Sequence, residues 1–180
     1  MNNSTNLVIE PLSRLHDRTN FNCGVLSLND YIKKQANQDV KRRISRVFVA
    51  RLPELQSKLM GYYTLSSLSI ELNSLPEKVA KKLPKHPIPT ALIGRLAVSQ
   101  DFQNCGVGKM LLVDAIKRTL GVSDEIAIYA MVVDAIDEQA EAFYQQFGFS
   151  LLSSAGESSS TRRISTTRRL FLPLKSNNAT

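Results

Sequence analysis

A chain of 180 residues with 43% hydrophobic side chains is long and apolar enough to bury one core, which excludes intrinsic disorder and predicts a single domain over residues 1–180. Cys23 and Cys105, with His16 and His86 as the only histidines, are too few and too scattered for a disulfide framework or a metal site, so no metal is expected. The formal charge of +7 is unevenly placed: Lys33 to Arg51 holds seven basic residues against Asp39 alone, and Leu151 to Thr180 holds five against Glu157 alone.

Charge this segregated points to a polyanionic partner, with a solvated basic face as the alternative. The opening MNNSTNLVIE lacks a basic start followed by a long apolar core, and the longest apolar run, Ile126 to Val133, is too short to span a bilayer. A soluble protein of the reducing cytoplasm, without a membrane partner, is the expectation.

Leu7 to Leu12 reads as a first strand. Ser27-Leu28-Asn29-Asp30 has the form of a helix start with Ser27 as cap, and Leu28, Tyr31, Ile32, Gln35 and Ala36 keep helical spacing to about Val40 while Lys33, Lys34 and Lys41 project elsewhere. Arg46 to Leu52 and Leu59 to Ile70 are strand-forming runs separated by the polar turn Pro53 to Lys58, which predicts an antiparallel pair. Pro76, Pro84, Pro87 and Pro89 then punctuate a basic segment from Glu71 to Thr90, with a short helix PEKVAKKL opened by Pro76. Two readings of that segment are open: a binding element bordering a substrate groove, or a plain crossover between strands.

Leu92 to Lys109, LIGRLAVSQDFQNCGVGK, is the stretch around which the chain is organised. Leu92, Ile93, Leu96, Ala97 and Val98 make an apolar strand in which Gly94 permits a bulge or close approach. From Met110 the period changes: Met110, Leu111, Val113, Ala115 and Ile116 fit a buried helical face, leaving Lys109, Asp114, Lys117 and Arg118 for solvent. The junction Gln103 to Gly108 therefore lies where a helix presents unpartnered N–H groups and glycines admit a ligand, an arrangement suited to a phosphate or, in the plainer reading, to a turn and a packing contact. Arg95 faces a substrate phosphate or carboxylate or else a structural salt bridge. Cys105 has no adjacent base and is not read as a nucleophile.

Gly121 is expected to end the helix, and Ile126 to Val133 to form a central strand buried on both faces. Asp137 caps a helix DEQAEAFYQQF whose Ala140, Phe143, Tyr144 and Phe147 share one face and which Gly148 terminates. Phe149 to Leu152 resumes strand character, Ser153 to Ser165 is an excursion too polar to bury, Thr166 to Leu174 closes the sheet, and residues 175–180 fray.

The resulting order β, α, ββ, loop, β, glycine loop, α, β, α, ββ is α/β with a mixed sheet flanked by helices. It resembles the GNAT acyl-CoA N-acyltransferase fold over essentially the whole chain. Gln103-x-x-Gly106-x-Gly108 resembles the family's acetyl-CoA pyrophosphate motif, Leu96-Ala97-Val98 the preceding strand end, and Phe143-Tyr144-Gln145-Gln146-Phe147-Gly148-Phe149 its helix-to-strand junction. More narrowly, FNCGVLSLNDYI, GYYTLS, LIGRLAV and VVDA look like the acetyltransferase toxins of type II toxin–antitoxin pairs, which acetylate the amino group of aminoacyl-tRNA.

This resemblance implies that acetyl-CoA is held by backbone groups of Leu96, Ala97 and Val98 and by Gln103, Asn104, Cys105, Gly106, Val107, Gly108 and Lys109. It implies that Tyr144 lies near the thioester sulfur, where a phenol protonated at neutral pH suits a general acid; helical spacing alone makes Tyr144 a core residue. Glu71, Asp101 and Asp134 are conceivable bases and none is assigned. A tRNA substrate would be tracked by Lys33, Lys34, Lys41, Arg42, Arg43, Arg46, Arg95, Arg162, Arg163 and Arg168, and by Lys78 to Lys85. An antitoxin partner and a homodimer are implied by the resemblance only. Two other functions stay open: a GNAT enzyme acting on a protein or small-molecule amine, and a noncatalytic nucleic-acid-binding module.

Overall fold

The computed structural model describes residues 7–55, 57–152 and 168–174. The Ser-rich stretch, Arg162, Arg163 and the C-terminal tail lie outside the described residues. The strands are β1 (Val8–Pro11), β2 (Arg46–Arg51), β3 (Gly61–Ile70), β4 (Ile88–Val98), β5 (Ala130–Ala135), β6 (Ser150–Leu151) and β7 (Arg168–Pro173). The helices are α1 (Leu26–Asp30), α2 (Ala36–Lys41), α3 (Glu77–Ala80), α4 (Val107–Ser123) and α5 (Glu138–Gln145), with a π-helical turn, Tyr31–Gln35, joining α1 to α2. The strands form one sheet in the order β1-β2-β3-β4-β5-β7-β6. By compactness the chain divides into one unit from Met1–Ser66 and Ile93–Arg118 and another from Ser67–Leu92 and Thr119–Thr180. Among the described residues no helix is long and apolar enough to cross a membrane.

In the first unit β2 pairs antiparallel with β3, as the two strand-forming runs around the polar turn predicted, and also with β1. Val47 and Val49 of β2 point to a core with Phe21, Tyr31, Ile32, Ala36, Leu59, Tyr62 and Ala97. Phe48, on the opposite face, stacks on its cross-strand partner Tyr63 at 5.1 Å between ring centres, and the Arg118 guanidinium lies 4.2 Å from the Phe48 ring. A Cβ on Gly61 would stand 2.7 Å from the Ala97 carbonyl oxygen and 2.9 Å from Leu111, so only glycine lets β3 approach the end of β4 so closely.

Several local expectations are corrected. Ser27 does not cap: α1 begins at Leu26 without a side-chain cap, because Asn22 and Asn29 instead accept the Gly24 and Cys23 N–H groups of the preceding turn. Met110 is exposed and Val113 and Ile116 are only half-buried; the buried face of α4 is Val107, Leu111, Leu112, Ala115 and Thr119, which keeps Leu111 and Ala115 from the predicted face. Asp114, expected in solvent, is half-buried; it accepts from the Tyr63 hydroxyl at 2.6 Å and from Arg118 Nε at 2.7 Å. Gly121 does not end α4, which continues to Ser123 and closes with the Ser123 hydroxyl on the Leu120 carbonyl. Ile126 stays outside β5 because its N–H and that of Glu125 both bind the Val122 carbonyl, prolonging the helix end as a turn.

In the second unit β5 pairs with β7 from Ala130↔Pro173 to Ala135↔Arg168, and β6 adds to the other edge of β7. Ile70, Leu75, Ile88, Ala130, Val132 and Phe171 form its core, covered by Leu72, Val79 and Leu83. The proline-rich segment thus packs as a crossover: its leucines and valine lie on the sheet while Lys78, Lys82 and Lys85 stay exposed.

Candidate active site

The glycine loop leaves β4 through a 3-10 turn, Gln100–Phe102, and enters α4 at Val107. Gln103 is exposed, yet its Nε2 donates to the Val98 and Cys23 carbonyls, both at 3.0 Å, and so ties the loop to the strand end. Asn104 at φ 59 and Gly106 at φ 82 are both left-handed, and asparagine and glycine are the residues that tolerate that conformation. Val107, almost fully buried, pins the first turn of the helix from below.

Main-chain pairing in α4 begins with the Met110 N–H on the Gly106 carbonyl, so the N–H groups of Val107, Gly108 and Lys109 make no bond among the described residues. Nothing lies within 4 Å of a Cβ built on Gly106. Open space over a left-handed glycine, beside these amides and the Lys109 cation, which has no ion pair among the described residues, fits a diphosphate. Leu96, Ala97 and Val98 occupy the end of β4, with Ala97 buried and its neighbours half-buried. The exposed Cys105 thiol points to the Gln103 carbonyl at 3.4 Å.

Tyr144 belongs to the second unit. Asp137 caps α5 by accepting the Ala140 N–H at 2.7 Å, as its sequence predicted. The helix stops at Gly148, φ 88, through paired bonds from the Gly148 N–H to the Gln145 carbonyl and from the Phe149 N–H to the Tyr144 carbonyl. Buried Phe149 packs on the Tyr144 ring, 5.6 Å between centres, and Phe143 meets its other side at 5.3 Å. Glu141, also buried, pairs with Arg168 at 2.7 Å and anchors this helix to β7.

Tyr144 is only 6% exposed, yet its hydroxyl has no hydrogen bond among the described residues. No sealed side-chain oxygen or nitrogen there lacks a partner, so that hydroxyl is the accessible tip of a buried ring. Burial, and then the charge of Asp134, push the phenol well above its ordinary range, so it keeps its proton. The candidate bases are differently engaged: Asp134 is held by Arg169 through two bonds of 2.7 and 2.9 Å, Asp101 pairs with Lys58 at 3.2 Å, and Glu71 is exposed.

The candidate RNA-binding cations separate into two groups. Lys34 pairs with Asp30 and Arg168 with Glu141, so the charge of each is already met by a carboxylate. Arg95 makes no salt bridge among the described residues; its guanidinium stacks 3.7 Å from the centre of the Tyr31 ring. Lys33, Lys41, Arg42, Arg43 and Arg46 have no ion pair among the described residues, and all but half-buried Lys33 are exposed. Sequence reasoning placed Tyr31 in the core and missed this contact; an aromatic on a buried helical face carries no signal that a strand arginine will lie on it.

The description acetyltransferase (GNAT) domain fits residues 43–151. The tRNA-acetylating toxin of Mycobacterium tuberculosis is 36% identical over 140 residues, 78% of this chain and 82% of that protein. A structure of AtaT complexed with acetyl-methionyl-tRNAfMet matches with a TM-score of 0.80 at 29% identity, covering 93% of this chain and 94% of that one. A tyrosine-to-phenylalanine variant of the AtaT toxin, bound to the C-terminus of the antitoxin AtaR and acetyl-CoA, matches with a TM-score of 0.74 at 26% identity, covering 93% and 92%.

Proposed function

The chain belongs to the acetyltransferase (GNAT) domain family, and from that premise we propose that it is the toxin of a type II toxin–antitoxin pair, an acetyl-CoA-dependent N-acetyltransferase that acetylates the amino group of aminoacyl-tRNA. Blocking that amine removes the nucleophile that translation needs. Residues 43–151, where the family match lies, draw on both compact units, which supports one catalytic domain over residues 1–180.

Acetyl-CoA supplies an activated acetyl thioester. The loop amides from Asn104 to Lys109 hold its diphosphate, Gln103 fixes the loop, and backbone groups of Leu96, Ala97 and Val98 align its pantetheine. Tyr144 holds a proton at its hydroxyl for the leaving group. Water takes the proton of the acceptor amine, since Asp134 and Asp101 are already in ion pairs. The catalytic assignment rests on one observation: a buried tyrosine whose hydroxyl alone is left unengaged. The acceptor assignment follows from the tRNA-directed relatives and from Lys33, Lys41, Arg42, Arg43 and Arg46, which have no ion pair among the described residues. An antitoxin partner, a homodimer and a cytoplasmic location complete this reading, the first supported by the AtaT–AtaR complex.

Incubation with labelled acetyl-CoA and total charged tRNA, followed by identification of what carries the label, tests the proposal. Label on the aminoacyl end is expected. Label on a peptide or polyamine but not on charged tRNA replaces the acceptor, and RNA binding with no transfer to any amine removes the enzyme.

A further inference from the structure

The helices α2 and α5 end in the same pair of hydrogen bonds. At α5 the left-handed residue is Gly148 and the residue after it, Phe149, is buried against Tyr144. At α2 the Ile44 N–H binds the Asp39 carbonyl at 2.9 Å and the Arg43 N–H the Val40 carbonyl at 3.2 Å, but the left-handed residue is Arg43, φ 57, and Ile44 is 62% exposed. Glycine is the stable choice at such a position, and an arginine there is strained because its Cβ crowds the backbone. The helix dipole accounts for cations in a last turn, but any nearby position would satisfy it without that strain.

The strained turn is held firmly from inside. The Tyr31 hydroxyl lies 3.0 Å from Asp39 Oδ2 and 3.1 Å from Ser45 Oγ, on either side of the turn, while Arg95 covers the face of the same ring. The π-helical turn bears directly on Tyr31, whose carbonyl accepts the Ala36 N–H five residues on. Lys41, Arg42, Arg43 and Arg46 therefore project from an anchored turn, exposed and without an ion pair among the described residues. By contrast Arg51, Arg118, Arg168 and Arg169 are all paired.

We propose that the turn Lys41 to Arg46 is a preorganised clamp for the phosphodiester backbone of the RNA substrate, with Arg43 kept at a glycine position because its guanidinium binds phosphate. This rests on the aminoacyl-tRNA reading given above. Holding the backbone in one conformation removes much of the ordering entropy that a loose basic loop loses on binding. Local strain at a binding element is the expected accompaniment.

Arg43→Gly separates the two roles of the position. The melting temperature stays level or rises by about 1–3 °C, because the loss of strain outweighs the glycine entropy term. KM for charged tRNA rises about 3- to 10-fold, with the change in KM rather than kcat, and the salt dependence of RNA binding loses about one unit of slope, as for one phosphate contact. Arg43→Lys retains most of the affinity, and Arg42→Ala with Arg46→Ala reproduces the loss without touching the strained residue. Unchanged KM for charged tRNA in Arg43→Gly and in the double variant overturns the clamp, as does weakened binding confined to an acidic antitoxin peptide or an equal rise in KM for acetyl-CoA. If the parent enzyme transfers acetyl to no charged tRNA, it is the functional reading that fails and the clamp with it; transfer by the parent with normal kinetics in these variants refutes the clamp alone.

Discussion

The buried tyrosines of the two units are chemically alike and structurally opposite. In the first unit Tyr31 donates to Asp39, Tyr62 to the Leu28 carbonyl at 2.7 Å and Tyr63 to Asp114 at 2.6 Å, so each ring fills the core and each hydroxyl is consumed by it. In the second unit Tyr144 is nearly as deeply packed, but its hydroxyl has no hydrogen-bond partner among the described residues and is not sealed from solvent. Burial raises the phenol of all four above the ordinary range, and so identifies none of them. What distinguishes a catalytic hydroxyl from a structural one is whether the fold already satisfies it.

The largest effect that separates them is Tyr144→Phe, which lowers kcat by about 10²- to 10⁴-fold with little change in melting temperature or acetyl-CoA affinity; a stability loss with normal turnover would make Tyr144 one more core tyrosine. Gly106→Ala leaves both tyrosine sets intact and acts on the cofactor loop alone. Its side chain finds open space but must adopt φ 82, so KM for acetyl-CoA rises roughly 10-fold, equivalent to about 1.4 kcal/mol, and kcat at saturation changes little. A lowered kcat with an unchanged KM would contradict a binding role for the loop.

Tyr63→Phe is the mirror image of Tyr144→Phe. It removes a hydrogen bond to a half-buried carboxylate and destabilises by about 1–2 kcal/mol, read as a lower urea midpoint, with acetyl transfer within twofold of the parent. The smallest effect is one of pH. Arg51, and then His16, hold the Glu10 carboxyl below the usual carboxylate range, so its contribution to stability is complete above the unfolded value near 4.5 and is lost as pH falls through the lower folded value. Glu10→Gln should therefore narrow the stability difference between pH 6 and pH 3; an unaltered difference would remove Glu10 from the acid response.

The order of elements along the chain and the glycine loop were legible in advance because each has a local cause. Aromatic and β-branched runs on either side of a polar turn predict paired strands, a change from strand to helical period predicts the loop, and Asp137 and Gly148 sit where helix ends require them. Errors arose where a distant partner decided. Asp114 looked like a solvent carboxylate because nothing near it in sequence announces Tyr63 and Arg118. Arg168 looked like a cation without a partner because Glu141, which binds it, lies on a different element. Arg95 looked like a strand cation in need of an anion, and nothing near it in sequence announces the ring it lies on. Asn22 and Asn29 took the backbone groups of an upstream turn, which a capping pattern scored within four residues does not detect. The unpaired state of the Tyr144 hydroxyl was equally invisible, since an absence of partners is a property of the whole fold.

The most direct measurement compares acetyl transfer from labelled acetyl-CoA to charged and to deacylated tRNA, by the parent and by Tyr144→Phe under identical conditions. The account predicts label on charged tRNA only, released by mild base as an N-acetyl amino acid and nearly abolished in the variant. Equal labelling of deacylated tRNA, or undiminished labelling by Tyr144→Phe, would contradict it.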